Sequence, residues 1–257
     1  MSEEILCSIQ DGIATVTLNR PEKRNALNTA VLEGLKSSLR QLEANKDVRV
    51  VVLRGEGKSF CSGLDLRELS SHQSGAGDPE TGVTQIFQQI ERSRHPTIAM
   101  VQGDALAGGC ELALHCDLRV ASETARFGMP LARLGLIVPF PLGHKLIEII
   151  GPAFTKQILF TGQPIDAKRA FEIGMIHQLV PAGELEAATY ALARTIADNA
   201  PLSLAGMKAM ILRALSVREA INHQDLDEMV NRARKSADAQ EGVKAMLEKR
   251  KPAFRGE

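Results

Sequence analysis

Apolar and polar positions alternate in two short runs near the start of the chain. Ile5–Gln10 and Ile13–Asn19 are rich in β-forming residues, and Asp11-Gly12 joins them. This dipeptide accepts the positive φ angles of a tight hairpin turn, so the pattern predicts two antiparallel strands.

Two later runs are apolar almost throughout. Val48–Leu53 and Thr97–Val101 have the composition of strands that are buried on both faces. Between positions 31 and 42, leucine and valine instead recur at helical intervals, with Thr29 as the candidate N-cap and Asn45 after the end. Strands that alternate with helices predict a layered α/β body.

The region between the two apolar runs begins with a Gly-rich loop and is less regular. A short helix is predicted near Asp65–Leu69 and another near Val83–Arg92. The residues between them, Ser70–Gly82, are rich in Ser, Gly, Pro and Asp, which is typical of a mobile loop.

From about Leu185 the chain has helical periodicity and almost no strand pattern. We expect an α/β body over residues 1–195 and a helical C-terminal region over residues 196–257, which completes the body's core or packs on another subunit. The predicted helices are Leu185–Asn199, Leu202–Leu215, Val217–Ala239 and Glu241–Arg250.

Charge and composition narrow the possible partners. The 257 residues carry 31 basic and 31 acidic side chains, so the chain lacks the cationic excess usual in proteins that bind nucleic acid or an anionic membrane. The longest apolar stretch, Leu131–Ile150, is interrupted by charged residues, prolines and glycines and does not predict a membrane span. The N-terminal residues have no signal-peptide pattern, so we expect a cytoplasmic protein.

The cysteines form neither a metal-binding nor a disulfide pattern. Cys7, Cys61, Cys110 and Cys116 include no CxxC pair and no histidine at zinc-finger spacing. We expect reduced thiols, most of them buried.

A glycine pair marks the first place where chemistry could occur. Gly108 and Gly109 lie between a buried strand and a helix, where unpaired N–H groups suit an oxygen that becomes anionic during a reaction. Glu111 follows about one turn later, where its carboxylate can face the same cleft. The alternative is tight helix–strand packing with Glu111 as a first-turn carboxylate, because one Gly-rich turn is a weak signal.

A second loop, residues 58–66, also follows a buried strand and enters a helix. Its N–H groups are expected at the carboxyl end of the sheet, where α/β folds bind ligands. Two such loops could form one cradle for a single oxygen. Cys61 and Ser62 are weak candidates for a nucleophile, because neither has a neighbouring His or a GxSxG elbow.

Longer stretches of the chain together resemble the enoyl-CoA hydratase/isomerase (crotonase) superfamily. Each stretch alone is a weak match, but they run in family order over nearly the whole chain. They are residues 19–27 (NRPEKRNAL), 60–66 (FCSGLDL), 101–114 (VQGDALAGGCELAL), 127–135 (FGMPLARLG), 161–167 (TGQPIDA) and 248–254 (EKRKPAF).

The resemblance implies an α/β fold, a crotonase-like spiral of ββα turns with a C-terminal helical trimerisation region. It also implies an acyl-CoA substrate, no metal or redox cofactor, and a homo-trimer or a hexamer made of two trimers. It assigns an oxyanion hole to the backbone N–H groups of Leu64 and Gly108, and a catalytic carboxylate to Glu111. The substrate- and CoA-binding residues that it implies are Arg24, Ala26, Ser62, Gly63, Asp65, Leu66, Gly109 and Leu131.

The second carboxylate that hydratases use falls on Leu131. Hydration needs one group to activate water and another to deliver a proton, and each typically contributes about a hundred- to ten-thousand-fold. A double-bond shift needs one base only, which Glu111 could supply. His144 and Asp104 are the candidates for a replacement acid.

Several reactions therefore stay open. Isomerisation, hydration of an enoyl- or dienoyl-CoA, and decarboxylation of a malonyl-type thioester all pass through an enolate. The rival is a non-catalytic binding protein of the same fold, against which Glu111 in an otherwise apolar cleft argues. Zero net charge argues against RNA as its ligand. Arg133 could bind a CoA phosphate or face solvent, and we expect solvent.

Overall fold

The computed structural model describes residues 4–66, 79–216 and 220–256, and this part of the chain contains two sheets. The strands are β1 (Ile5–Gln10), β2 (Ile13–Leu18), β3 (Val50–Gly55), β4 (Thr97–Val101), β5 (Asp104–Leu106), β6 (Leu118–Ser122), β7 (Arg126–Gly128), β8 (Ile165–Asp166) and β9 (Gln178–Val180). One sheet has the order β1-β2-β3-β4-β6-β9, and the smaller sheet has the order β5-β7-β8.

Helices cover both sides of the larger sheet. They are α1 (Thr29–Ala44), α2 (Pro79–Arg92), α3 (Gly108–Leu114), α4 (Phe140–Thr161), α5 (Ala167–Glu172), α6 (Leu185–Ala197), α7 (Pro201–Leu215), α8 (Gln224–Lys235) and α9 (Ala237–Leu247). A short 3-10 helix, Pro130–Leu134, precedes α4.

The predicted hairpin forms because Asp11 and Gly12 both take positive φ angles, of 50° and 77°. β1 and β2 pair antiparallel, whereas the other neighbours in the larger sheet are parallel. The carboxyl ends of β3 and β4 therefore lie side by side, which brings the loops that follow them together.

The strands β3 and β4 are buried on both faces, as their apolar runs predict. Val50 and Val52 share an apolar cluster with Leu185 of α6, whereas Val51 belongs to the larger cluster that includes residues of α1 and α3. Successive side chains of a strand point to opposite faces, so one apolar run contributes to two cores.

The chain passes repeatedly between the two sheets. β4 is followed by β5 and α3, β6 by β7 and α4, and β8 leads through α5 to β9. This succession is the spiral of strand–strand–helix turns that the resemblance implies.

The N-cap of α1 differs from the expectation by one residue. Asn28, not Thr29, is the cap, and its Oδ1 accepts a hydrogen bond from Val31 N at 2.8 Å. Asparagine caps a helix at least as well as threonine does. The helix ends at Ala44, as the polar residues after it predict.

Two expected features fall mainly outside the described residues. Most of the predicted Asp65–Leu69 helix and most of the Ser70–Gly82 loop lie in residues 67–78, which are not described. α2 begins at Pro79, so the end of the predicted loop is helical and the helix starts before Val83.

The apolar stretch Leu131–Ile150 does not form one long helix. It is divided between the 3-10 helix and α4, and α4 itself is interrupted at Gly151, whose φ of 70° and ψ of 168° precede Pro152. Among the described residues, none of the helices is both long enough and apolar enough to cross a membrane.

The C-terminal region is helical, but the single helix expected over Val217–Ala239 is wrong. α8 begins only at Gln224, and Ser236 is extended, with ψ of 157°. Its hydroxyl accepts a hydrogen bond from Ala239 N at 3.0 Å and so caps α9. Because Ser236 is extended and serves as the N-cap of α9, α8 ends at the residue before it.

The last helix returns to the body of the protein. α9 packs on the 3-10 helix that begins at Pro130, and a Cβ on Gly242 would lie 2.5 Å from the carbonyl oxygen of Leu134. This contact brings the end of the chain to the functional site. The division of the chain at residue 195 stays a prediction.

Candidate active site

The Gly-rich loop after β3 pairs with the segment that follows β2. Ser62 N donates to Arg24 O at 3.1 Å, and Leu27 N donates to Gly63 O at 2.8 Å. These bonds bring together two segments that the sequence analysis assigned to CoA binding.

The other side of the same loop pairs with β5. Cys61 N donates to Asp104 O, and Leu106 N donates to Cys61 O, each at 3.0 Å. The loop is thus fixed between two segments, so its N–H groups are held rigidly beside the start of α3.

A buried asparagine that the sequence analysis missed anchors the first segment. Asn25 Oδ1 accepts from Arg20 N at 2.9 Å, while Nδ2 donates to Ser59 O at 2.7 Å and to Glu56 O at 2.9 Å. Three bonds at a fully buried amide hold the turn in place. The positive φ of Asn25, 54°, is a conformation that asparagine tolerates better than most residues.

Gly63 and Gly109 allow the loops to approach each other. Gly63 has a φ of 91°, and a Cβ there would lie 2.9 Å from the Cβ of Ala107. A Cβ on Gly109 would overlap the carbonyl oxygen of Cys61. Neither glycine lines the cavity. Each instead allows two backbone segments next to the cavity to pack closely. The assignment of these two residues to CoA binding stays a prediction.

Leu64 and Gly108 do line the cavity, and within the described residues neither N–H donates to a protein acceptor. Gly108 is the first residue of α3, where N–H groups have no partner within the helix. Ala107 has the unusual angles φ 49° and ψ −122°, and its N–H donates to Gly128 O at 2.8 Å. Such local strain is characteristic of functional sites.

Glu111 lies on the same cavity wall, one turn into α3. Its side chain is fully buried, and neither carboxyl oxygen has a hydrogen-bond partner in the described part of the chain. Burial raises the pKa of Glu111 well above its usual value, and the positive charge of Lys145 opposes this only in part. Burial therefore favours the uncharged form of Glu111 over the carboxylate.

His115 is the imidazole next to this carboxyl group. His115 Nδ1 donates to the carbonyl oxygen of Glu111 at 2.8 Å and lies 3.7 Å from Glu111 Oε2. Its ring stacks on Phe87, with 5.1 Å between centroids. The side chain is thereby held in one orientation beside the carboxyl group.

The cavity has a volume of about 640 Å³, a charged mouth and an apolar interior. Exposed charged side chains at the mouth are Glu22, Lys23, Arg24 and Lys249. Buried side chains that line the interior are Ala26, Val83, Glu111, Met129, Leu134 and Leu142. Such a cavity suits a ligand with a polar end outside and an acyl chain inside.

Most of the residues that the resemblance implied line this one cavity. They are Arg24, Ala26, Ser62, Leu64, Asp65, Leu66, Gly108, Glu111 and Leu131. Asp65 also has a structural role, since its Oδ2 lies 3.4 Å from the Arg20 guanidinium. Leu131 leaves that part of the wall apolar.

The candidates for a second acid are not in this cavity. Both carboxylate oxygens of Asp104 accept hydrogen bonds from Arg126 at 2.8 Å, and Asp104 does not line the cavity. His144 lines a neighbouring cavity instead. Arg133 is exposed, as expected. Sequence spacing could not give these positions, because each depends on how distant elements pack.

The cysteines agree with the expectation of mostly buried thiols. Cys61, Cys110 and Cys116 are buried and free, and Cys7 is exposed and free. Burial raises the pKa of Cys61 to about 12, so its thiol is a poor nucleophile at neutral pH. In residues 4–66, 79–216 and 220–256, no group of three or more His, Cys, Asp or Glu side chains could hold a metal ion.

Sequence reasoning missed the contribution of the chain's end. Met246, Leu247 and Lys249 line the cavity, although they are far from Glu111 in sequence. The stretch 248–254 contributed to the resemblance but carried no predicted role. Nothing in its local pattern indicates which part of the body it contacts.

Comparisons with known proteins extend over nearly the whole chain. A family profile described as "Enoyl-CoA hydratase/isomerase" matches residues 8–257. The chain is 34% identical over 244 residues to the short-chain-enoyl-CoA hydratase of Clostridium acetobutylicum, covering 93% of this chain and 92% of that protein.

Solved structures give the same picture of the fold. Methylmalonyl-CoA decarboxylase complexed with 2S-carboxypropyl-CoA superposes with a TM-score of 0.90, at 32% identity and with 100% of each chain covered. Carnitinyl-CoA hydratase from Mycobacterium avium superposes with a TM-score of 0.84, also at 32% identity over 100% of each chain. These matches confirm the expected fold class, a mixed α/β spiral with a helical C-terminal region.

Proposed function

The chain belongs to the enoyl-CoA hydratase/isomerase family, and from this premise we propose that it acts on an acyl group carried as a coenzyme A thioester. The thioester carbonyl accepts hydrogen bonds from the N–H groups of Leu64 and Gly108, and Glu111 transfers a proton at the acyl chain. One observation carries the proposal: a buried carboxyl group without a hydrogen-bond partner in the described residues lines the same cavity as those N–H groups.

The two N–H groups supply the electrostatic part of the mechanism. When a bond at the carbon next to the thioester carbonyl breaks, negative charge moves to the carbonyl oxygen and forms an enolate. Fixed backbone donors stabilise this charge without having to reorganise. Because the surrounding wall is apolar, the attraction is less screened than it would be in water.

A single carboxyl group favours double-bond isomerisation over hydration. Glu111 in its ionised form removes a proton from one carbon, and the dienolate is held at the oxyanion hole. The protonated Glu111 then returns the proton two carbons away, so the double bond moves and no water is consumed. Leu131 cannot supply the second acid–base group that hydration uses.

Decarboxylation of a malonyl-type thioester is the second candidate, and two observations favour it. The likeness to methylmalonyl-CoA decarboxylase covers the whole chain, and Glu111 has a raised pKa. Loss of CO₂ leaves its bonding electrons as the enolate. The uncharged Glu111 donates a proton to that carbon and recovers a proton from solvent. Neither route involves a metal ion or a redox cofactor.

A panel of thioesters tests the proposal. We expect the purified protein to convert 3-enoyl-CoA to 2-enoyl-CoA, or to decarboxylate malonyl- or methylmalonyl-CoA, measured by absorbance of the conjugated thioester and by release of CO₂. If crotonyl-CoA is hydrated at about 10 s⁻¹ or faster, the argument from one carboxyl group is wrong. If no thioester on the panel reacts, the non-catalytic rival is favoured.

The pH profile distinguishes the two candidates. A base must be ionised, so the kcat/KM of an isomerase rises with pH until the raised pKa of Glu111 is passed. An acid must be protonated, so the kcat/KM of a decarboxylase falls over the same range. Leu131→Glu gives a third readout, because a restored second carboxyl group should raise crotonyl-CoA hydration above that of the parent.

The proposal also includes the oligomeric state of the protein. α7 exposes Leu202, Met207, Met210 and Ile211 to solvent in the isolated chain, which supports a trimer, or a hexamer of two trimers, with helical contacts. A monomeric mass by light scattering at micromolar concentration would contradict this.

The residues of the mouth, Arg24 among them, are proposed to bind CoA. We propose a cytoplasmic location, which suits the three buried free thiols.

A further inference from the structure

One guanidinium group lies behind the mouth of the active-site cavity and connects three parts of the chain. Arg20 Nη1 donates a hydrogen bond to Ala26 O at 2.7 Å. Both of its Nη atoms lie 3.4 Å from Asp65 Oδ2, and its Nε lies 3.3 Å from Glu4 Oε1. The side chain is only 12% exposed and does not line the cavity. Arg20 is therefore placed to hold its neighbours and not to contact a ligand.

The turn that Arg20 closes has an unusual backbone. Arg24 and Asn25 both have positive φ angles, of 52° and 54°, a conformation that L-residues disfavour. Such a backbone persists only where the surrounding structure holds it. Arg20 holds this turn from two sides, because its carbonyl oxygen accepts from Asn25 N at 2.9 Å and its guanidinium donates to Ala26 O. The turn presents Arg24 and Ala26 at the wall of the cavity.

The other contact of the guanidinium reaches the loop that carries the Leu64 N–H group. Leu64 forms a parallel bridge with Leu27, and Asp65 N donates to Leu27 O at 2.9 Å. The ion pair between Arg20 and Asp65 joins the same two segments through their side chains. Because Asp65 lines the cavity, the charge of Arg20 also offsets part of the negative charge at the wall.

We propose that Arg20 is a positioning residue for coenzyme A. It fixes the turn that presents Arg24 and Ala26 to the nucleotide part of the thioester, and it does not itself touch the substrate. This rests on the proposed function, in which residues of the mouth bind CoA. The forked guanidinium holds a carbonyl oxygen and a carboxylate at the same time, which the single ammonium group of lysine does less well.

Two substrates separate this role from a general effect on folding. One is the CoA thioester that reacts on the panel, and the other is the N-acetylcysteamine thioester of the same acyl group, which lacks the nucleotide. In Arg20→Gln, kcat/KM for the CoA thioester should fall about tenfold, mainly through KM, while that for the truncated thioester changes less than about twofold. A purely structural role would lower both values by the same factor.

Binding of an unreactive thioester gives a readout that does not depend on turnover. The dissociation constant of butyryl-CoA, measured by isothermal titration calorimetry, should rise about tenfold in Arg20→Gln. Arg40→Gln removes the same charge from an exposed position on α1 and should bind and react like the parent. Circular dichroism checks the fold of each variant. If Arg20→Gln does not fold, Arg20→Lys is used, and its smaller loss should again be confined to the CoA thioester.

A double variant tests whether Arg20 acts through the turn. Arg24→Gln removes a side chain that the turn presents, so little is left for Arg20 to position. The change Arg20→Gln should therefore raise the dissociation constant of butyryl-CoA by at least about threefold less in the Arg24→Gln background than in the parent.

Three results would overturn the inference. They are an unchanged affinity of the Arg20 variants for butyryl-CoA, an equal fall of kcat/KM for both thioesters, and losses in the double variant that multiply as if independent. Each of these leaves the acyl-CoA function standing. If the parent protein does not bind butyryl-CoA, the proposed acyl-CoA function itself fails, and the role of Arg20 fails with it.

Discussion

Two buried glutamates near the centre of the molecule are handled in opposite ways. Glu91 of α2 is 6% exposed, and Lys145 Nζ lies 2.6 Å from its carboxylate. Glu111 of α3 is 0% exposed, and in the described part of the chain its carboxyl oxygens have no hydrogen-bond partner. Glu91 has a positive partner within contact, while Glu111 faces a cavity.

This difference in surroundings distinguishes a carboxylate that stabilises the fold, Glu91, from a carboxyl group that is available for catalysis, Glu111. The ion pair between Glu91 and Lys145 compensates both charges and joins α2 to α4. For Glu111, burial opposes the charged form and raises the pKa. A carboxyl group with a raised pKa that faces a cavity can exchange a proton with a bound ligand. A carboxylate held in an ion pair is less suited to this role.

The largest expected effect is on catalysis. Glu111→Gln keeps the shape of the side chain but can neither take nor give the proton, so turnover of the reactive thioester should fall by about two to four orders of magnitude. Binding of the thioester should be largely retained, measured by calorimetry alongside steady-state rates. Glu33→Gln, an exposed change on α1, is the control and should react like the parent. Near-normal turnover in Glu111→Gln would end the proposed distinction between the two glutamates.

Replacement of Glu91 is expected to lower the stability of the fold rather than the catalytic rate. Glu91→Gln leaves Lys145 without its nearest partner, and breaking a buried pair in this way lowers the free energy of unfolding by about 3 kcal/mol. Glu148, 3.7 Å from Lys145 Nζ, offsets part of the loss. Urea unfolding measures the change. An unaltered midpoint would mean that the pair contributes nothing to stability.

A smaller effect is expected from two adjacent glycines beside Glu111. The nearest atoms to a Cβ on Gly108 are 3.5 Å away, so Gly108→Ala should fold. That Cβ lies 3.7 Å from Leu64 N, in the space where the carbonyl oxygen would bind, and kcat/KM should fall by about 10- to 100-fold. Gly109→Ala instead places a Cβ against the carbonyl of Cys61 and should unfold the protein at lower temperature. Thermal melts and rates of both variants check the contrast.

The smallest effect is a pH-dependent change in stability at Glu111. Its pKa is higher in the folded than in the unfolded chain, where it is about 4.3. The folded state therefore binds the proton more tightly, and stability is lost as pH rises from about 4.3 towards the folded pKa. Glu111→Gln removes this loss. Its melting temperature should equal that of the parent at pH 4 and exceed it at pH 8. A constant difference at all pH values would contradict the raised pKa.

The sequence by itself determined the local elements. The Asp11-Gly12 hairpin, the buried strands β3 and β4, and a glycine pair one turn before Glu111 all follow from dihedral preference and from hydrophobic period. These depend on neighbours within a few residues. The resemblance then allowed the residues around Leu64 and Gly108 to be assigned to one site before their positions were known.

Only the tertiary structure decided what surrounds Glu111. Lys145 lies 54 residues from Glu91 in sequence, and Lys249 comes from the end of the chain, yet both reach this region. Asp104 is paired with Arg126, and His144 lines a neighbouring cavity, so neither side chain lines the cavity of Glu111. Local patterns fix which residues form a helix or a strand. Which charges then meet depends on the packing of distant elements, and that packing leaves Glu91 paired and Glu111 facing the cavity.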